Sequence, residues 1–280
     1  MLRGSAERES ASACGACAIS MFKRLRGCAE SVRALMSVSG TPPSERGLTG
    51  RGLLQSEAEW DARNRVLAES LAGLVHKHAT PVTGRALDVG CQSGALTDAL
   101  ARITPYAWLG VDPGITAATR SPEGTPLEPG SARNLPGRDE SYDCLLFANV
   151  YEHIDPQERM ESLSEMRRVL RSGGVVVGQL PNPYFPIESH SRLPFMGWLP
   201  RSVQHRYWCL SPVPWEHDFY VVTVKQLQRT ARDVGFETVL VRNFNYPLEV
   251  IPQSVRRVAH VLERPMRWVP WAWQFVLRSP

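Results

Sequence analysis

Hydrophobic residues recur along most of the chain at two spacings, one typical of helices and one typical of strands. Between residues 57 and 77 they fall three or four positions apart, which predicts an amphipathic helix. Short apolar runs at 85–89 and 108–112 predict buried strands, and the sequence between them predicts a helix over 95–102. Because a strand, a helix and a strand in succession place the two strands parallel, this region predicts an α/β fold with a parallel sheet.

The same alternation continues through the middle of the chain. The apolar run YDCLLFANV at 142–150 predicts a third buried strand, and residues 157–170 predict a helix. GGVVVGQL at 173–180 predicts the next strand, which begins after a glycine break. The sheet is therefore expected to have at least four parallel strands.

The end of the chain allows two interpretations. A helix over 223–234, ended by Gly235, and a strand at 236–244 extend the alternation. After a short helical stripe at 255–262, the sequence WAWQFVLR at 271–278 fits a last, antiparallel strand. Its tryptophans, with several arginines nearby, also suit a membrane interface. The strand is the favoured interpretation, and membrane contact is the alternative.

Two stretches interrupt this pattern. Residues 113–130 predict a connection rich in proline and glycine. Residues 181–215 contain seven prolines together with several aromatic residues and histidines. That is too many prolines for an interior helix or a central strand. We therefore expect a lid, inserted after the fifth strand, over residues 181–216.

Composition and charge exclude several classes of protein. The 280 residues carry 32 lysines and arginines against 28 acidic residues, a net charge of +4 that is spread along the chain, so no nucleic-acid partner is expected. No apolar run reaches the ~18 residues that a membrane-spanning helix needs. Residues 1–50 lack firm periodicity and are expected to form a disordered extension to one domain over 51–280.

The cysteines indicate a reducing compartment. Six are present at irregular spacings, and two lie in apolar, strand-like segments, where thiols pack as small hydrophobic groups. Cys14 and Cys17 form a lone CxxC pair with no second pair and no neighbouring histidine, which disfavours zinc or redox use. A cytoplasmic location is expected, with peripheral contact to a membrane left open.

The most informative stretch is ALDVGCQSGALT at 86–97. A dinucleotide-binding loop needs GxGxxG, and the second and third glycines that would follow Gly90 are missing. The GxxxxGK[ST] loop of ATP- and GTP-binding proteins is absent too. What remains is an acid that ends the first strand, Asp88, a turn from Gly90 to Gly94, and an acid that ends the second strand, Asp112.

Four stretches extend this observation, and they occur in a fixed order. They are LDVGCQSG, GVDPG, GSARNLPGRDESYDCLLFANVYEHI and MRRVLRSGGVVVGQLPNP, which together span about residues 83–183. The chain resembles the class I S-adenosylmethionine-dependent methyltransferases, in particular the type 11 methyltransferase domain group. The resemblance implies a Rossmann-like, doubly wound, seven-stranded, mostly parallel sheet, and S-adenosylmethionine as the cofactor.

The resemblance also implies how the cofactor is held. Backbone N–H groups of the glycine turn would meet its carboxylate, Asp88 would complement its ammonium group, and Asp112 would accept from both ribose hydroxyls. Gln92 takes the variable middle position of the turn, and Ser131 stands where relatives commonly carry an acid near the adenine. The implied cofactor-binding residues are Asp88, Gly90, Cys91, Gln92, Gly94, Asp112, Pro113, Ser131, Ala132 and Asn149.

Residues for the acceptor come from the same resemblance. His153, in the stretch NVYEHI, is expected at the mouth of the active site, where either catalysis or hydrogen bonding to the next helix would explain it. The stretch PNPYFPIESHSRLPFMGWLP resembles a subset of this family, and its His190 is a candidate base or acceptor anchor, with local hydrogen bonding as the alternative. The expected lid residues are Tyr184, Phe185, Glu188, Phe195, Trp198 and His217. The spacing of Glu188, His190, His217 and Asp218 forms no recognised set of metal ligands, so no metal is expected.

The sequence therefore predicts an enzyme that transfers a methyl group from S-adenosylmethionine to a small-molecule, glycan or lipid-linked acceptor, most readily at oxygen. Transfer from a sulfonium is an in-line displacement, so the protein chiefly supplies alignment and, for a hydroxyl acceptor, a base. Two alternatives stay open. One is a non-catalytic scaffold, because Gln92 and Ser131 depart from the family pattern. The other is a membrane-surface factor that acts through the basic, tryptophan-rich end.

Overall fold

The structure is a computed structural model that describes residues 57–80, 83–211, 217–247, 249 and 269–280. The expected extension over 1–50, the CxxC pair of Cys14 and Cys17 and the helical stripe at 255–262 lie outside these residues. Within the described ranges, no helix has the length and apolar character needed to cross a membrane.

The described chain alternates between strands and helices, as the hydrophobic pattern predicts. The strands are β1 (Gly84–Val89), β2 (Tyr106–Asp112), β3 (Thr119–Arg120), β4 (Pro126–Pro129), β5 (Tyr142–Ala148), β6 (Leu170–Pro181), β7 (Glu237–Phe244) and β8 (Ala272–Arg278). The helices are α1 (Glu57–His78), α2 (Ala95–Ile103), α3 (Arg159–Val169), α4 (Arg201–Tyr207) and α5 (Val224–Asp233).

All the strands belong to one mostly parallel sheet in the order β3-β4-β2-β1-β5-β6-β8-β7. β1 lies parallel to β2 and β5, β4 pairs parallel with β2, and β6 pairs parallel with β5. β8 runs antiparallel to both β6 and β7. The doubly wound α/β fold is confirmed, and so is the prediction that the chain ends in an antiparallel strand.

Both faces of the sheet are buried, which explains the continuous apolar runs of its central strands. On one face Leu145 and Phe147 of β5 pack with Leu163 of α3 and Leu227 of α5. On the other face the alternate residue Leu146 packs in a second cluster with Leu71, Leu74 and Val75 of α1 and Leu100 of α2. The three-to-four-residue spacing along α1 thus places its apolar stripe on the sheet.

Within the described ranges the sheet has eight strands, where seven were expected. The proline- and glycine-rich connection over 113–130 contains β3 and β4, and β4 extends the sheet beyond β2. Sequence reasoning missed β4 because two prolines bound it and only Leu127 of its four residues is buried. The expected glycine break before β6 is also wrong, because β6 starts at Leu170 and continues through the two glycines.

The proline-rich stretch also holds a short helix, against expectation. Helix α4 begins directly after Pro200, which caps its amino end, so that proline precedes the helix and does not interrupt it. Leu193, Met196 and Trp208 of this stretch form a small core with Phe219, which follows it. The described part of this stretch, residues 182–211, is called the proline-rich segment below.

Substitution of two glycines, one in a crowded place and one in an open place, tests this packing. A Cβ atom on Gly178 of β6 would collide with the backbone oxygen of Phe147 and the ring of Phe275, whereas one on Gly73 of α1 would meet nothing within 4 Å. We expect Gly178→Ala to lower the free energy of unfolding by about 3 kcal/mol. Gly73→Ala should raise it by about 0.5–1 kcal/mol, because alanine is the better helix former. Urea unfolding measures both, and equal effects would contradict the packing described.

Candidate active site

Loops from three neighbouring strands meet at the carboxyl edge of the sheet. They follow β1 at 90–94, β2 at 112–114 and β5 at 149–153. The carboxyl ends of parallel strands lie at one edge, and ligands of this fold class bind in the crevice that forms there. Most of the residues implied by the sequence to bind the cofactor therefore lie together.

The turn after β1 is shaped by three residues with positive φ. Gly90, Gln92 and Gly94 have φ values of 81°, 50° and 80°. Gly90 also lies against the next loop, since a Cβ atom there would stand 2.5 Å from Cγ2 of Val150. Gln92 is exposed and keeps the bend without glycine, which costs on the order of 1 kcal/mol.

Asp112 joins the first two loops. Its Oδ2 accepts a hydrogen bond from the backbone N–H of Gln92 at 3.0 Å, and its Oδ1 accepts one from the N–H of Gly114 at 2.8 Å. Each carboxylate oxygen keeps a free lone pair, because an ionised carboxylate accepts about four hydrogen bonds. Asp112 is half-buried and Pro113 after it is exposed, so this carboxylate stands at the surface of the crevice.

Asp88 and Cys91 lie beneath this surface. Asp88 is buried and accepts a hydrogen bond from the Thr97 hydroxyl at 2.6 Å. Burial raises the pKa of Asp88 to about 7, with the charge of Asp112 adding to the rise and the bond from Thr97 opposing it. Burial also raises the pKa of Cys91, so its thiol stays protonated and packs as a small hydrophobic group.

Asn149 directly follows β5 and adopts a left-handed conformation with φ of 58°. Its N–H donates to the backbone oxygen of Gln179 at 2.8 Å, and its Oδ1 accepts from Gln179 Nε2 at 3.1 Å. Gln179 Oε1 in turn accepts from Gln274 Nε2 at 3.3 Å, and Gln274 Oε1 accepts from Arg242 at 2.7 Å. A row of hydrogen bonds across the three adjacent strands β6, β8 and β7 thus orients Asn149. Sequence reasoning missed Gln179 and Gln274, although a glutamine inside an apolar strand is a recognisable signal.

The position expected near the adenine is a tight turn. The backbone N–H and oxygen of Ser131 both pair with Asn134. Ser131 and Ala132 are half-buried. This leaves the Ser131 hydroxyl and the Ala132 backbone as the polar groups available there, in place of the acid that relatives commonly carry.

A histidine and carboxylate cluster follows Asn149 directly. A turn over Tyr151–His153 begins at Val150, whose oxygen accepts from the N–H of His153 at 2.9 Å. Glu152 is only 3% exposed. His190 of the proline-rich segment lies between two acids, with Nδ1 2.7 Å from Glu188 Oε1 and Nε2 3.6 Å from Glu152 Oε1.

Two further residues complete this cluster. Phe219 stacks on His190 with 4.7 Å between ring centroids, and the rings of His153 and His190 stand edge to face at 5.0 Å. Asp218 Oδ2 lies 3.4 Å from Nδ1 of the partly exposed His153. The structure therefore brings together His153, His190, Glu188 and Asp218 from the sequence analysis. It adds Glu152, which the sequence analysis did not single out although it belongs to the NVYEHI stretch.

The acids of the cluster govern the charge of its histidines. Burial acts to lower the pKa of His190, but the attraction of Glu152 and Glu188 outweighs it and raises the pKa to about 10. Burial likewise opposes the ionised form of Glu188, yet His190 holds the pKa of Glu188 at about 2. The pKa of His153 is raised, because its bond to Asp218 and the charge of Glu152 outweigh burial. With these groups alone, His190 is charged at neutral pH, which favours an anchoring role over that of a base.

The expected lid residues divide into buried and exposed groups. Phe185 is buried on Trp271, with ring centroids 4.6 Å apart, and His217 stacks on Trp208 at 4.9 Å. Glu188 is buried and closes its own loop, accepting from the N–H groups of His190 and Ser191. An exposed aromatic patch remains, formed by Tyr184, Phe195, Trp198 and the neighbouring Ile187.

Comparison with known proteins found a matching domain model and solved structures with the same fold. A sequence model described as a methyltransferase domain matches residues 87–178. Comparison with curated proteins found no match. Protein PH0226 of Pyrococcus horikoshii is 16% identical, with 77% of this chain and 91% of that chain covered and a TM-score of 0.52. A SAM-dependent methyltransferase from Archaeoglobus fulgidus is 17% identical, with 77% and 94% covered and a TM-score of 0.50.

A third structure shares the fold over more of the chain. It is described as a possible histamine N-methyltransferase from Thermotoga maritima and is 18% identical, with 85% of this chain and 98% of that chain covered and a TM-score of 0.51. Residues 87–178 are thus a methyltransferase domain of the class I, Rossmann-like kind. The cofactor of this domain is S-adenosylmethionine.

The buried acid of the first loop makes stability depend on pH. As the pH rises from about 4 to 7, Asp88 ionises in the unfolded chain and resists ionisation in the folded protein, so the wild type loses stability through this group. Asp88→Asn keeps an acceptor for Thr97 and removes this loss. Without cofactor, we expect the variant to gain on the order of 3 kcal/mol over the wild type between pH 4 and pH 8. Urea unfolding at several pH values measures the difference, and a constant difference would contradict a raised pKa.

Proposed function

We propose that the protein transfers the methyl group of S-adenosylmethionine to an oxygen atom of a small acceptor, and that a lipid-like or lipid-linked hydroxyl compound fits better than a glycan. One observation carries the proposal: the turn over Val150 to His153 packs on the glycine loop at one end and bears the histidine and carboxylate cluster at the other. A turn of only four residues therefore connects the glycine loop to the side chains that would act on the acceptor.

The residues present fit the cofactor. Helix α2 starts at Gly94 without a side-chain cap, so N–H groups of its first turn remain free to meet the cofactor carboxylate. Asp112 keeps lone pairs for both ribose hydroxyls. Asp88 would complement the ammonium group, and Ser131 with the Ala132 backbone would replace the missing acid at the adenine. Bound S-adenosylmethionine supplies an electrophilic methyl group on a positively charged sulfur.

Transfer to a hydroxyl requires a group that takes up or stabilises a proton. The cluster supplies these groups, because Glu152 presents a buried carboxylate and His153 an exposed imidazole backed by Asp218. His190 would anchor the proline-rich segment over this place through its contacts with Glu152 and Glu188. In this role the segment acts as the lid expected from the sequence.

The exposed aromatic patch supports an acceptor with an apolar part. Phe195 and Trp198 are 59% and 64% exposed, although apolar groups of this size are usually buried. Trp198 is held in place, since its Nε1 donates to the Tyr184 backbone oxygen at 3.1 Å and its ring packs on that of Tyr184. An ordered apolar surface on the same segment as His190 fits an alkyl chain or a membrane surface that carries the acceptor.

Binding of the cofactor tests the first part of the proposal. We expect calorimetric titration with S-adenosylmethionine to give micromolar binding to the wild type. Asp112→Ala should weaken it about 10- to 100-fold, because two hydrogen bonds to a charged acceptor are lost. Asp139→Ala, which removes an exposed acid paired with Arg168, is the matched control and should bind like the wild type. Absence of binding to the folded wild type would favour the non-catalytic scaffold.

Choice of acceptor tests the second part. The wild type is incubated with S-adenosylmethionine and with paired hydroxyl and amine compounds, each with and without an alkyl chain, and products are identified by mass spectrometry. We expect methyl ethers, and kcat/KM highest for the alkylated hydroxyl compounds. Phe195→Ser with Trp198→Ser should lower that kcat/KM about tenfold, because apolar contact is lost. Met160→Ser, an equally exposed position on α3, is the control. Methylation confined to the amines would overturn transfer to oxygen.

A further inference from the structure

Three side chains of the cluster are placed as ligands of one cation. Glu152, His153 and His190 each offer a ligand atom, and these atoms lie within 4.8 Å of one another. Two histidines and one carboxylate are a common set for Zn²⁺ and for other divalent ions of the first transition series. Glu152 and His153 come from the turn after β5, and His190 comes from the proline-rich segment.

The carboxylate of Glu152 is buried without the hydrogen bonds that such a group requires. Neither Oε1 nor Oε2 of Glu152 has a hydrogen-bond partner among the residues that the structure describes. The distance of 3.6 Å to His190 Nε2 is too long for a hydrogen bond. A buried charge is normally paired or bound to a metal, because loss of water is otherwise uncompensated. A cation between Glu152 and His190 would bind the carboxylate directly, which the imidazole at 3.6 Å does not do.

Both histidines are oriented as metal ligands usually are. Nδ1 of His190 pairs with Glu188 at 2.7 Å, which leaves Nε2 free on the side of Glu152. Nδ1 of His153 lies 3.4 Å from Asp218. Histidines that bind metals almost always give their other ring nitrogen to a carboxylate, carbonyl or water, which fixes the tautomer and the ring. Each histidine here has such a carboxylate.

We infer that Glu152, His153 and His190 bind a divalent transition-metal ion, of which Zn²⁺ is the simplest case, beside the methyl-transfer crevice. Three protein ligands leave at least one coordination position open, as in catalytic metal sites. The inferred site differs from the combination of Glu188, His190, His217 and Asp218 that was set aside from the sequence. In the structure Glu188 and Asp218 support the ligands, and His217 packs on Trp208.

The use of this ion rests on the proposed function. At the open position the acceptor hydroxyl would bind through its oxygen and release its proton more readily, since a bound cation lowers the pKa of such a group. The oxygen–carbon bond then forms as the carbon–sulfur bond breaks. Acceptor and S-adenosylmethionine thereby give the methyl ether, S-adenosylhomocysteine and one proton, with no oxidant or reductant required.

Metal binding by the full chain tests the inference. The test uses a full-length parent variant with Cys14→Ser and Cys17→Ser, so that this thiol pair does not compete for the metal. Any bound metal is first removed with a chelator. Titration with Co²⁺, followed by visible absorption, and with Zn²⁺, followed by calorimetry, should show one equivalent bound at micromolar or lower concentration. Glu152→Gln should weaken binding about 100-fold or more. Asp218→Asn, which leaves the ligands in place, should weaken it about tenfold.

Controls keep the test independent of folding and of the proposed function. His153→Gln replaces a partly exposed ligand and should also lose binding, so it serves as the test if Glu152→Gln does not fold. His76→Gln, at a histidine of α1, should bind like the parent chain. Absence of stoichiometric binding, or binding that survives His153→Gln, would overturn the inference. Titration with S-adenosylmethionine on the same samples separates the two proposals: cofactor bound without metal overturns the metal site alone, and metal bound without cofactor overturns the proposed function alone.

Discussion

The close approach of Gly90 to Val150 is the contact on which the active site depends. It requires a glycine, because any Cβ atom at residue 90 would overlap the valine side chain. The contact joins the loop after β1 to the loop after β5, two neighbouring strands of the sheet. Asp112 joins the loop after β2 to the same turn through Gln92. Three loops are thereby fixed to one another without a ligand.

The histidine and carboxylate cluster extends this arrangement outwards. His190 connects the proline-rich segment to Glu152, which lies in the 3-10 turn that follows Val150. Glu188 holds His190 and also accepts two backbone N–H groups of its own loop, so the position of the histidine is set by the fold of that loop. Cofactor loop, cluster and proline-rich segment therefore form one connected structure, and a change in the segment is felt at the crevice.

The central strands were predictable because their residues are buried on both faces and read as continuous apolar runs. Helix α5 was predictable from the residues that start and end it, since Thr223 and Gln226 form a capping box and Gly235 follows at φ of 91°. The secondary-structure prediction was wrong where local composition disfavours an element that tertiary contacts nevertheless form. β4 carries prolines yet pairs at the sheet edge, β6 passes through two glycines, and α4 fits between prolines.

The sequence by itself determined the fold class, the order of the main strands along the chain and the loop that identifies the cofactor. These depend on spacing between near neighbours, which a linear pattern records. Only the tertiary structure decided that the Glu152 carboxylate lies beside His190 without a hydrogen bond, that Gln179 and Gln274 orient Asn149, and that Phe185 is buried while Trp198 is exposed. These facts depend on sheet register and on how a long loop folds back over the strands, which bring together residues far apart in the chain.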